Sequence, residues 1–188
     1  MKIIVQKYGG TSVGSIEKIK QIATNIKKLK KLQIVVVVSA MAGETDRLVG
    51  LINSLSKIPN EREYDQIIST GERVSAGLLA LALQSINVKS ITLDPFKLNL
   101  LTDNLHSKAS IISVDVKEIR KNLKNNHVVI IPGFQGINSD NEITTLGRGG
   151  SDLSAVAIAG ALKADRCELL KDDVDGVYTT DPRLYNKA

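Results

Sequence analysis

Tryptophan is absent from this 188-residue chain, and four tyrosines and two phenylalanines bring the aromatics to only 3%. Proteins that hold single-stranded nucleic acid stack its bases on aromatic rings, so this scarcity argues against such a partner. Cysteine occurs once, at Cys167, which excludes an internal disulfide framework and fits a reducing cytoplasm. Nothing near it resembles a His-paired nucleophile, so Cys167 reads as a small strand residue in Arg166-Cys167-Glu168-Leu169-Leu170. Long apolar runs are missing too. Residues 34–38 and 128–131 are strand-sized and far too short to cross a bilayer, so no membrane is expected as a partner. Met1-Lys2-Ile3-Ile4-Val5 leads into Gln6-Lys7-Tyr8 without the apolar core and cleavage site of a secretory signal. The two histidines, His106 and His127, lack metal-ligand spacing with each other or with nearby acids, so no metal ligand is assigned.

What remains is an ordinary globular composition, 43% hydrophobic and 24% charged, long enough for one sizeable domain with a real core. The net charge of +5 raises the question of nucleic acid. Lys27, Lys28, Lys30 and Lys31, however, cluster near the end of a helix-like run, where they complement its dipole. Lys117, Arg120, Lys121 and Lys124 recur at helical spacing in a second such run. Solvated lysine faces explain both groups better than a nucleic-acid footprint does, while still steering anionic substrates inward.

Strand and helix patterns alternate along the chain. Residues 2–7 are rich in β-formers and end at Gly9-Gly10; Ile16, Ile19, Ile22, Ala23 and Ile26 then keep helical spacing. Residues 33–39 suit a strand buried on both faces. Leu48, Leu51, Ile52 and Leu55 mark a further helix, broken at Ile58-Pro59-Asn60. A longer helical region covers 64–85, with Ser69-Thr70-Gly71-Glu72 inside it or at its turn. Residues 88–93 read as a strand, 96–113 as short strands and a loop, 116–125 as a helix and 127–132 as another buried strand. Residues 138–142 form a hairpin tip, 153–162 an apolar small-residue helix and 167–170 a last strand. This alternation predicts an α/β fold: a mainly parallel central sheet between helices, with ligands beyond the carboxyl ends of its strands.

Polar, glycine-rich segments fall at those ends. Thr144-Thr145-Leu146-Gly147-Arg148-Gly149-Gly150-Ser151-Asp152 sets a guanidinium among glycines, where backbone N–H groups and Arg148 together suit a small anion. Ser151-Asp152 is placed to cap the following helix. Lys7-Tyr8-Gly9-Gly10-Thr11-Ser12 offers a cation and a turn that could cradle phosphate oxygens, though it lacks the Gly-Lys-Ser/Thr of a Walker A loop. Glu72 reads on spacing alone as a helix-start carboxylate favoured by the dipole, and Thr45 as a cap; the alternative for each is substrate contact. Residues 171–183 are rich in carboxylates but lack the alternation of a calcium loop. They read as a polar turn or as a loop around a nucleotide.

Taken in order, these blocks resemble the aspartokinases of the amino acid kinase superfamily. The likeness runs through residues 7–12, 38–45, 69–72, 133–136, 144–152 and 173–183, nearly the whole chain. It implies an αβα sandwich and transfer of the ATP γ-phosphoryl group to the side-chain carboxylate of L-aspartate, a cytoplasmic step of amino-acid biosynthesis; the alternatives are a kinase of another acceptor in the same superfamily, or an inactive or split fragment that only binds ligand. It implies Lys7 and the Gly9-Gly10 amides, with Thr11 and Ser12, on the phosphates, and Asp152 ordering the active-site charges. Ser39, Thr45, Glu72 and Arg148 would hold aspartate, Glu72 at its ammonium and Arg148 at its α-carboxylate. Asp173, Tyr178, Asp181 and Arg183 would line the nucleotide, with Mg2+ bridging the phosphates; Asp172 and Asp173 are alternatives for the same place. Residues 1–188 would be a single catalytic domain, incomplete at its C-terminus and without ACT regulatory domains. A homodimer or a complementary C-terminal chain is the implied protein partner.

Overall fold

The computed structural model describes residues 1–29 and 31–170. Of its parallel strands, β2 (Leu32–Val38) and, later in the chain, β6 (Val128–Pro132) are mainly β-branched apolar runs, whereas β1 (Lys2–Tyr8) and β3 (Ser90–Thr92) mix apolar with polar residues. With β9 (Arg166–Leu170) they form a five-stranded sheet in the order β3-β6-β2-β1-β9, every neighbouring pair parallel. Because successive side chains point to opposite faces, a strand of consecutive valines needs cover on both sides. Val36, Val38 and Ile130 pack against α1 (Ile16–Lys28) and α4 (Thr70–Ser85). Val35, Val37, Val129 and Ile131 pack against α6 (Lys117–Lys124) and α7 (Gly150–Leu162). Full burial of each such side chain contributes roughly 1.5–3 kcal/mol, which makes this three-layer core the main source of stability.

The expected α/β class and parallel central sheet are therefore found, with refinements. The helical region over 64–85 is two helices, α3 (Glu61–Ile68) and α4, joined at Ser69. Asn60 caps α3 by accepting the Arg62 and Glu63 N–H groups, and α2 (Glu44–Leu55) precedes the break. The stretch expected as short strands and a loop over 96–113 opens with a short helix, α5 (Pro95–Leu98), followed by β4 (Leu100–Thr102) and β5 (Ile111–Val114). Those strands join β7 (Gln135–Ile137) and β8 (Ile143–Thr145) in a second, mixed sheet ordered β5-β4-β7-β8. The β7–β8 hairpin turns where expected: the Asn138 side-chain oxygen accepts the Asp140 and Glu142 N–H groups. Cys167 is a strand residue, as anticipated. Among the described residues no helix is long and apolar enough to cross a membrane. The second sheet follows directly from the carboxyl end of β6, so it stands over the end of the parallel sheet where the polar loops gather.

Candidate active site

A cleft of about 790 Å³ opens at that end, and Lys7, Ser39, Thr45, Glu72, Arg148 and Asp152 all line it. These are the candidate substrate and catalytic residues, brought together from separate stretches of chain. Gly9, Gly10, Thr11 and Ser12 form the turn that follows β1 and are not among the residues lining this cleft. The Gly9 N–H points to the Leu170 carbonyl at 3.4 Å, so that amide extends the β1–β9 pairing instead of facing an anion. The candidate nucleotide residues Asp173, Tyr178, Asp181 and Arg183, with Asp172, lie outside the described residues.

Strand periodicity aims Lys7. It sits two residues after Val5, on the face covered by α7, and is only 6% exposed. Its Nζ lies 2.7 Å from Oδ1 of Asp152, in the first turn of α7. The positive end of the α7 dipole favours a carboxylate there. The structure corrects two cap expectations, and the first is here: Ser151 and Asp152 do not cap α7. The cap position is Gly149, with φ of 72°, and both residues lie within the helix. Glycine suits this position because a left-handed backbone costs it nothing. Thr45 is likewise no cap; Gly43 holds that place and Thr45 is the second residue of α2, facing the cleft.

Glu72 departs furthest from the reading of a plain helix-start carboxylate. It is in the first turn of α4, yet only 4% exposed. Oε1 accepts the Ala40 N–H at 3.1 Å, while Oε2 is buried without a hydrogen-bond partner. Burial pushes its pKa up to about 7, opposed in part by the Ala40 N–H. Such a carboxylate in a cleft is poised for a cation that enters with a ligand. Gly71 permits the approach, since a Cβ there would lie 2.8 Å from the Ala40 Cβ. Gly71→Ala is expected to destabilise the fold by about 1–3 kcal/mol, because helix and loop must part. A denaturant midpoint equal to that of the wild type would show that the contact has slack.

Several lining residues escape sequence reasoning. Tyr64, Ile68 and Phe134 form an apolar wall backed by Leu48 and Ile52. Phe134 takes φ of 70°, rare for an aromatic residue, and is pinned by Ser154 Oγ on its N–H and by the Leu146 N–H on its carbonyl. Asp46, Ser107 and Lys108 also reach the cleft. Asp65, fully buried beneath them, bonds to residues far along the chain. Its one local signal is helical spacing from the buried Ile68. The cleft thus combines Lys7, Lys108 and Arg148 with Asp46, Glu72 and Asp152. Such a balanced set, with cations and carboxylates on one cleft, suits a small zwitterion.

Comparison with known proteins agrees with this architecture. The aspartokinase of Pseudomonas aeruginosa is 50% identical over 190 residues, covering 100% of this chain and 46% of that protein. That of Helicobacter pylori is 53% identical over 188 residues, covering 99% of the chain and 46% of the relative. The chain therefore spans about half the length of these relatives. The crystal structure of Synechocystis aspartate kinase superimposes with a TM-score of 0.79 at 48% identity, covering 98% of this chain and 30% of that one. Aspartokinase III of E. coli, in complex with aspartate and ADP, superimposes at 0.81 with 26% identity, covering 98% of this chain and 52% of that one. The sequence profile of the amino acid kinase family matches residues 2–188, and on that match the chain belongs to the amino acid kinase family.

Proposed function

We propose that this chain is catalytic sequence of an aspartate kinase, transferring the γ-phosphoryl group of ATP to the side-chain carboxylate of L-aspartate. In this reading residues 1–188 form part of one amino acid kinase catalytic domain, with no ACT unit in that stretch. The product feeds lysine, threonine and methionine biosynthesis in the cytoplasm. The observation that carries the reading is the buried, unpartnered Oε2 of Glu72 in the same cleft as Arg148. Arg148 is exposed to the cleft and has no carboxylate partner among the described residues. Together they match the ammonium and α-carboxylate of one amino acid. The relatives near 50% identity are aspartokinases, whereas an isopentenyl phosphate kinase shares this fold at 20% identity.

The chemistry asks little of a base. The attacking carboxylate is already ionised, so its oxygen bonds to the γ-phosphorus as the bridging bond to the β-phosphate breaks and ADP leaves. What the protein supplies is placement and neutralising charge. Lys7, held by Asp152, would stabilise the phosphoryl oxygens, with Ser39 beside it; Thr45, Glu72 and Arg148 would hold aspartate. The nucleotide side would use Gly10, Thr11 and Ser12 of the turn after Gly9, whose own amide is held by β9, together with Asp173, Tyr178, Asp181 and Arg183. Among the described residues no group of three or more His, Cys, Asp and Glu side chains is placed to hold a metal. Magnesium, on this reading, would accompany the phosphates of ATP and neutralise their charge.

Hydroxylamine trapping of acyl phosphate tests this. The chain should form hydroxamate only with both ATP and L-aspartate. Arg148→Ala should lower kcat/KM for aspartate roughly thirtyfold, the worth of about 2 kcal/mol of charge-assisted hydrogen bonding. A folded, monodisperse chain that makes no product and binds neither ligand calorimetrically would overturn the reading.

A further inference from the structure

Asp65 is fully buried on α3, and among the described residues no lysine or arginine pairs with it. Two chain-distant segments saturate its carboxylate instead. Thr145 donates its hydroxyl to Oδ1 at 2.6 Å and its N–H to Oδ2 at 3.0 Å. Ser107 donates its N–H to Oδ2 at 3.0 Å and its hydroxyl to Oδ1 at 3.3 Å. His106 Nδ1 lies 3.0 Å from Oδ2, and its other ring nitrogen lies 3.5 Å from Glu142, itself held by Arg62. The Ala109 N–H then closes onto the Thr145 carbonyl at 2.9 Å.

These bonds have a geometric consequence. Thr145 ends β8, three residues before Arg148, and Ser107 immediately precedes Lys108. Ser107 takes φ of 64°, a left-handed backbone that serine adopts only where its surroundings impose it. Asp65 imposes it through both the N–H and the hydroxyl. A Cβ added to Gly147 would lie 3.4 Å from the Ser107 carbonyl oxygen and 4.0 Å from the Lys108 Cα, so the two turns are packed together. Lys108 and Arg148 consequently line one cleft, and Lys108 has no carboxylate partner among the described residues.

We propose that Asp65 is a positioning residue that fastens residues 106–108 to the Thr145–Arg148 turn, setting Lys108 beside Arg148 as a second cation for the acidic substrate. The identity of that substrate, L-aspartate, rests on the function proposed above. L-Aspartate and aspartyl phosphate are both anionic, so an ammonium on the Arg148 side, away from the transferring phosphoryl group, favours ground state and transition state alike. Its loss then appears in KM and not in kcat.

Kinetics and hydrogen exchange on the 188-residue chain test this together. Lys108→Ala should raise KM for L-aspartate roughly tenfold, with kcat and the KM for ATP nearly unmoved, and Lys108→Arg should restore most of it. An unchanged aspartate KM would overturn the role of Lys108. Asp65→Asn keeps the volume and removes the charge. The Ser107 and Thr145 amides should lose protection together, with a higher aspartate KM and unaltered exchange in β1 and β2. Loosening of one segment alone, or of both with no change in KM, would overturn the positioning role. If Asp65→Asn does not fold, Ser107→Ala decides the same question from a loop position. If the wild type neither binds nor phosphorylates L-aspartate, the substrate reading fails by itself. The exchange result still decides whether Asp65 joins the two segments.

Discussion

Lys7→Ala is expected to lower kcat for aspartyl phosphate formation by at least ~10³-fold, with a smaller change in KM for aspartate. Lys7 lies inside the parallel sheet, flanked in register by Val37 of β2 and Leu169 of β9. Its backbone is thus fixed on both sides, and its 2.7 Å contact with Asp152 fixes the ammonium. A charge held this way needs no reorganisation as negative charge shifts onto the phosphoryl oxygens, which is where such groups exceed a mobile surface lysine. The same substitution removes one counter-charge from Asp152. Its side chain is 27% exposed, so water recovers part of the loss and the fold survives. Rapid-quench turnover beside a thermal melt separates the two effects. A folded Lys7→Ala variant retaining a tenth of wild-type kcat would remove Lys7 from the catalytic machinery.

The central sheet was legible because its strands carry their burial in their composition. Residues 34–38 are all β-branched and apolar, which has no stable placement except between two helical layers. The second sheet was not legible to that degree. Its strands are three or four residues long, too short for any period to show, and β4 is irregular between Leu101 and Thr102. Helix starts were the other weak point. Ser151-Asp152 carries the residue types of a cap, but the left-handed Gly149 takes that role and lets Asp152 meet Lys7.

Within the cleft, visibility followed sequence distance. The glycines around Arg148 announce an unusual turn locally. Asp65 announces little beyond its helical spacing from Ile68, since the groups that satisfy it lie 42 and 80 residues away. Glu72 is intermediate. The sequence allows it a place at a helix start or inside a longer helix, and its burial depends on Gly71 meeting Ala40, a contact between segments some thirty residues apart. A carboxylate that would stabilise an exposed helix start costs free energy once it is enclosed.

That cost has a measurable signature, and Glu72→Gln should erase it. Burial holds the Glu72 pKa at about 7, against an ordinary value of 4.5. Between those values the folded protein keeps a proton that the unfolded chain has released. Stability of the ligand-free protein should therefore fall as pH rises through this window, by about 3 kcal/mol in all, and level off above it. In Glu72→Gln that slope should vanish. The glutamine oxygen still accepts the Ala40 N–H, but its amide group replaces the unpartnered Oε2 and offsets part of any net gain. Substrate binding should move the other way. An incoming ammonium favours the ionised carboxylate, so wild-type KM for aspartate should fall as pH rises toward about 7 and then flatten. Glu72→Gln should raise that KM by roughly 10²–10³-fold and abolish its dependence on pH, because a buried cation then meets no counter-charge. Denaturant melts and initial rates from about pH 5 to about pH 8.5 test both halves. A wild-type aspartate KM flat across that range would mean that Glu72 does not receive the ammonium, whatever its effect on stability.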